Sequence, residues 1–140
     1  MNVGEICRLM ESHGDALLEK NIRRYLGKNE INEGIISTLR DEQKRNNFFF
    51  FNNGITMICS KMSHNALQSE DWIVLTEHLQ IINGGQTCRA ISEVVNSFNM
   101  GEFSDVYVLV RLYEVSDDEQ MINDITFATN SQNPVDFSIC

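Results

Sequence analysis

The chain has 140 residues, 20 acidic against 11 basic for a net charge of −9, and 42% of it is hydrophobic. That is one domain's worth of material, large enough to build a core without a metal or disulfide staple. No apolar run reaches the roughly eighteen residues of a membrane-spanning helix, MNVGEICRLM is too polar for the core of a signal peptide, and the acidity argues against a protein that coats nucleic acid over its whole surface.

Residues 3–13 place Ile6, Cys7, Leu9 and Met10 at helical spacing before a His13-Gly14-Asp15 break. The next stretch, ALLEKNIRRYLG, reads equally as helix or strand. Asn29 is a candidate N-cap for a helix over residues 30–44, where Ile31, Ile35, Ile36 and Leu39 recur with helical period and Lys44 and Arg45 suit the C-terminal dipole. Phe48 to Phe51 reads as a strand with both faces apolar, hence core. Asn53-Gly54 is then the type I′ turn of a hairpin leading into a strand at Ile55 to Cys59. Residues 61–71 are polar and expected to be loop. Trp72 to Leu75 and Leu79 to Ile82 read as strand pieces; residues 86–98 follow a Gly-Gly turn with a helical pattern. DVYVLVRLYE, residues 105–114, is the strongest strand, and Asp117, Asp118 and Glu119 load the first turn of a helix running to about Ala128. The alternation predicts a single α/β (mixed α+β) domain, a mixed sheet with flanking helices.

Charge and asparagine are distributed unevenly. Residues 1–61 carry nine basic and eight acidic side chains, whereas residues 62–140 carry two basic and twelve acidic. The two basic residues of the second part, Arg89 and Arg111, therefore stand out. Fifteen asparagines occur, many in clusters around residues 46–53, at Asn83, and at Asn130 and Asn133. The cysteines Cys7, Cys59, Cys88 and Cys140 form no C-x-x-C pair, and His13, His64 and His78 add no ligand motif. Reduced thiols, no metal site and a cytoplasmic location are the expectations.

Three polar motifs carry the candidate chemistry. In Asn83-Gly84-Gly85-Gln86-Thr87, a strand delivers a glycine turn to a helix start whose unpaired N–H groups suit an anion, with Arg89 one turn further in. The plain alternative is a strand-to-helix turn that binds nothing. Asn52, Asn53, Gly54 and Thr56 present amides on a buried, rigid root, with a simple hairpin as the alternative. Asn130, Ser131, Gln132 and Asn133 precede Pro134 and serve either to end a helix or to read a ligand through neutral hydrogen bonds. Arg111, between Val110 and Leu112, is expected to be paired with a carboxylate if buried, or else to face the same cleft.

FFFFNNGITMIC, IINGGQTCRAI, VLVRLYE and ATNSQNPV, in this order, resemble the AIPR family of abortive infection phage resistance proteins, and NIRRYLG and INEGIISTL resemble its approach to the first block. The resemblance runs from about Asn21 to Val135. It implies a bacterial antiphage defence protein and, because such proteins are usually longer, a piece or core of a larger one. The family often has Cys where this chain has Gly85. A more distant similarity, carried by Asn83, Gly84, Gln86 and Arg89, is to the ParB and sulfiredoxin-like fold, whose turn of this type binds nucleotide phosphates. Together these point to a domain that binds a nucleotide or nucleic-acid phosphate in one polar pocket. The alternatives are a nuclease or phosphoryl-transfer enzyme using Arg89 and Arg111, or an interaction module for partner defence proteins or a phage component, with the phenylalanine run as its interface. No cofactor is identified by the residues.

Overall fold

The computed structural model describes residues 1–19, 30–64, 73–115 and 119–131. Helix α1, Val3–His13, starts at Asn2, whose side-chain oxygen accepts from the Gly4 amide at 2.8 Å while its Nδ2 donates to the carbonyls of Phe103, Ser104 and Val106 at 3.0–3.1 Å. One residue thus caps the helix and ties it to a distant loop. A 3₁₀ turn, Gly14–Leu18, follows.

Helix α2, Glu30–Arg40, is shorter than its sequence pattern predicts. Asp41 ends it: the side-chain carboxylate accepts from the Gln43 amide at 2.8 Å and its carbonyl accepts from Lys44 and Arg45, giving the backbone a turn in place of further helix. Arg45 is buried and folds back, donating to the Arg40 carbonyl at 3.1 Å and pairing with Glu102 at 3.3 Å. Its guanidinium also lies over the rings of Phe98 and Phe103.

The four phenylalanines correct the expectation of a core strand. They form a one-turn helix α3, Phe48–Phe51, in which Phe48 alone is buried. A short apolar run cannot by itself distinguish strand from helix, and here only one ring finds the core. The Asn53-Gly54 hairpin falls with it. A type I′ turn needs positive φ at both central residues, and only Gly54, at 93°, has it.

Five strands follow: β1 Ile55–Cys59, β2 Lys61–His64, β3 Val74–Glu77, β4 Gln80–Asn83 and β5 Val110–Glu114. The polar segment expected to be loop contains β2, which pairs antiparallel with β3. The main sheet has the order β4-β1-β5, with β1 antiparallel to β4 and parallel to β5, and all five residues of β1 are buried. The parallel connection passes through helix α4, Gly85–Ser97. The strongest predicted strand is only half in the sheet. Before Val110 its bonds go instead to the amino terminus, Val3 to Val106 at 3.0 Å and Val108 to Met1 at 2.9 Å, with Asn2 bridging Tyr107. Helix α5, Glu119–Ser131, closes the described fold, a mixed α+β domain as the pattern predicts.

Strand alternation sorts the two sheet faces. Ile55, Met57 and Ile81 join α1, α2 and α4 in the main core, with Val110 and Leu112 packed against it. Ile58, Ile82 and Val115 form a smaller cluster under Ile122 and Ile125 of α5.

Candidate functional site

The polar motifs converge on one end of the main sheet, where β1 and β5 begin and β4 ends. Gly84, at φ 88°, is the N-cap of α4 and has no side-chain cap bond. A Cβ there would stand 2.8 Å from the Gly54 carbonyl oxygen and 3.0 Å from the Ile55 Cα; a Cβ at Gly54 would stand 2.8 Å from the Leu109 carbonyl oxygen. Real Cβ atoms do not approach that closely, so both positions require glycine for φ and for space together. The two glycines bring the NNGIT turn, the start of α4 and the entry to β5 into backbone contact.

Side chains lock the same junction. Asn52 accepts from the Gly54 amide at 2.8 Å and donates to the Thr87 hydroxyl in the first turn of α4 at 3.3 Å. Asn83 donates to the Thr129 carbonyl of α5 at 3.1 Å. Arg111 donates to the Asn53 carbonyl at 3.5 Å, a long and weak contact. In the sheet register Asn83 sits opposite Thr56 and Thr56 opposite Arg111. The three residues therefore form a row across β4, β1 and β5 on the face toward α5. Thr56 is buried and Arg111 is exposed on an edge strand, so the mid-strand arginine is neither buried nor held by a carboxylate among the described residues.

Several candidate residues thus have structural partners, while other groups keep their capacity. The first three amides of α4, those of Gly85, Gln86 and Thr87, have no acceptor among the described residues, as helix geometry dictates, and they stand at the positive end of a 13-residue helix. Gln86, half-buried beside them, makes no side-chain hydrogen bond among the described residues. Arg89 is directed elsewhere: it pairs with Asp15 of the 3₁₀ turn at 2.8 Å. The partner is 94% exposed, so the pair is weak and solvent-screened. Asn130 and Ser131 lie in the last turn of α5, while Gln132 and Asn133 fall outside the described residues, as do Asn29, NIRRYLG, Trp72 and Cys140.

No cluster of three metal-ligating side chains occurs among the described residues. Cys88, one turn into α4, is fully buried, and desolvation pushes its thiol up to about 12, with Arg89 opposing in part. Burial also raises the thiols of Cys7 and Cys59. None is a thiolate at neutral pH, and without a thiolate there is no thiol nucleophile.

At the opposite end of β1 lies a contact that the sequence gives no cue to. The Ser60 hydroxyl meets Nδ1 of His78 at 2.8 Å, and His78 has a φ of 56°, the one non-glycine residue with positive φ among those described. The two lie 18 residues apart and no motif spacing joins them. Ser60 also bonds to the Glu77 carbonyl through both its amide and its hydroxyl, so the contact fixes the turn between β3 and β4.

The family model described as AIPR protein matches residues 18–138. No curated protein and no solved structure matches the chain. The family match covers most of the sequence and contains all four ordered blocks; the chain belongs to the AIPR family. That membership supports a role in abortive-infection phage resistance. The ParB and sulfiredoxin-like similarity rests on turn chemistry alone.

Proposed function

We propose, with membership of the AIPR family as the premise, that the junction binds a phosphate group of a nucleotide or nucleic acid as part of a phage-resistance protein. One observation carries the reading: the glycine pair Gly54 and Gly84 sets the start of α4 beside the Asn83, Thr56 and Arg111 row. Helix amides without a helical acceptor and an exposed guanidinium are complementary to a phosphate oxygen. The amides that bond across the junction, Asn52 and Asn83, hold the geometry, while Gln86 and Arg111 supply donors toward a ligand. Arg89 adds positive potential one turn in, partly neutralised by Asp15. The overall charge of −9 opposes any broad phosphate surface, so the contact is local.

The reading is tested by thermal shift with ATP, tripolyphosphate and short oligonucleotides. A ligand at a hundredfold excess over its Kd stabilises by about 2.7 kcal/mol, which moves the melting temperature by several degrees. Arg111→Gln is expected to remove most of that shift while leaving the unliganded melting temperature unchanged. If no phosphate compound raises the melting temperature, the reading is wrong.

A further inference from the structure

Phe49, Phe50 and Phe51 project from the turn that leads directly into the junction. Phe50 is 77% exposed and Phe51 64% exposed, and the rings of Phe49 and Phe50 meet edge to face with centroids 5.6 Å apart. Three solvent-facing phenyl rings in succession are costly to keep in water, and such a patch marks a contact surface. Its surroundings define the partner. The residue after Phe51 is Asn52, bonded to Thr87 in the first turn of α4; the next is Asn53, whose carbonyl accepts from Arg111. Consecutive Cα atoms are about 3.8 Å apart, so the Phe51 Cα lies within about 8 Å of the Asn53 Cα, beside the carbonyl that accepts from Arg111.

The exposed Arg111 guanidinium close to the rings favours an occupant that carries anionic groups together with flat apolar ones. A single-stranded nucleic acid matches both parts, since each nucleotide carries a flat base to stack and an anionic phosphate to pair. We propose that the Phe49 to Phe51 turn is a base-stacking platform, and that the ligand of the junction is single-stranded DNA or RNA, whose bases lie on Phe50 and Phe51 while the adjoining phosphate meets Arg111 and the start of α4. This rests on the phosphate reading above and specifies its ligand. Duplex is disfavoured because its bases are already stacked and paired. Sequence preference is weak, because every base has a stacking face.

The experiment uses the full chain with two probes: a labelled oligothymidylate, followed by anisotropy, and tripolyphosphate, followed by thermal shift. The double variant Phe50→Ala, Phe51→Ala is expected to weaken oligothymidylate binding by roughly a hundredfold, about tenfold for each ring, and to leave the tripolyphosphate shift unchanged. Both rings are exposed, so the variant is expected to keep the wild-type melting temperature. Phe50→Trp is expected to retain affinity, with indole fluorescence quenched as the oligonucleotide is added. Wild-type oligothymidylate affinity in the double variant overturns the stacking platform while leaving the phosphate reading intact. The same is concluded if the double variant loses self-association but keeps oligonucleotide binding, since the rings are then a protein interface. Failure of wild type to bind either probe removes the phosphate reading and the platform with it.

Discussion

The two faces of the main sheet are built from the same strands and differ in what they can tolerate. One face, with Ile55, Met57 and Ile81 under α1 and α4, is built from buried apolar side chains on β1 and β4. The other carries Ile58 and Ile82 under α5, but at its end gives way to the row Asn83, Thr56 and Arg111. Shape and volume decide on the first face, whereas the end of the second is decided by hydrogen bonds, backbone approach and one exposed charge. Apolar packing is therefore concentrated on one side and hydrogen-bonding groups at the end of the other, with the glycines at the seam.

The sharpest way to break that division is to damage each side and measure both properties. Ile91→Ala, at a fully buried site of α4, is expected to cost about 2–5 kcal/mol in denaturant unfolding. Gly84→Ala is expected to be destabilising for a different reason. The left-handed backbone alone costs about 1–2 kcal/mol, and the added Cβ forces the Gly54 carbonyl away. Both properties fall together in this variant, because the seam serves both. Arg111→Gln separates them: phosphate-dependent stabilisation is lost with the unliganded melting curve unchanged within about 0.5 kcal/mol, as for an exposed edge position.

Titration sharpens the comparison from the buried side. The Cys88 thiol has its pKa raised from 9.0 to about 12, so in the alkaline range the folded state holds a proton that the unfolded state has lost. Its contribution is complete below pH 9 and is lost as pH rises from there toward 12. Unfolding free energy measured across that range is expected to fall, and Cys88→Ala is expected to flatten the slope. The smallest effect belongs to Asp15→Asn. It removes a carboxylate charge and an exposed pair worth at most about 1 kcal/mol, leaving stability almost unchanged and strengthening phosphate binding slightly at low salt.

Much of the organisation is legible in the residues. Helix α1 has the predicted limits, and α4 and α5 shift by only one to three residues, because long amphipathic periods act locally. Errors occur where a competing local bond or a distant partner intervenes. Asp41 stops α2 with its own side chain, and β5 is shortened because the amino terminus takes the bonds of Val106 and Val108. Strand β2 is missed because an exposed two-stranded pair needs no apolar alternation. The Ser60 and His78 contact has no sequence signature at all.

The sequence alone determined that this is a mixed α+β fold of a defence family, with a glycine turn opening a helix and two arginines in an otherwise acidic second part. Those properties follow from composition, periodicity and ordered blocks, which need no knowledge of distant contacts. Only the tertiary structure decided how the blocks meet. Asn52 reaches Thr87, Asn83 reaches α5, and Gly54 packs on Gly84, while Arg89 turns to Asp15 and Arg111 stays at the open end. It also decided that Phe49, Phe50 and Phe51 face water while Phe48 is buried. Four apolar residues in a row state only that burial would be favourable; whether the core has room for more than Phe48 depends on what the rest of the chain has already packed there.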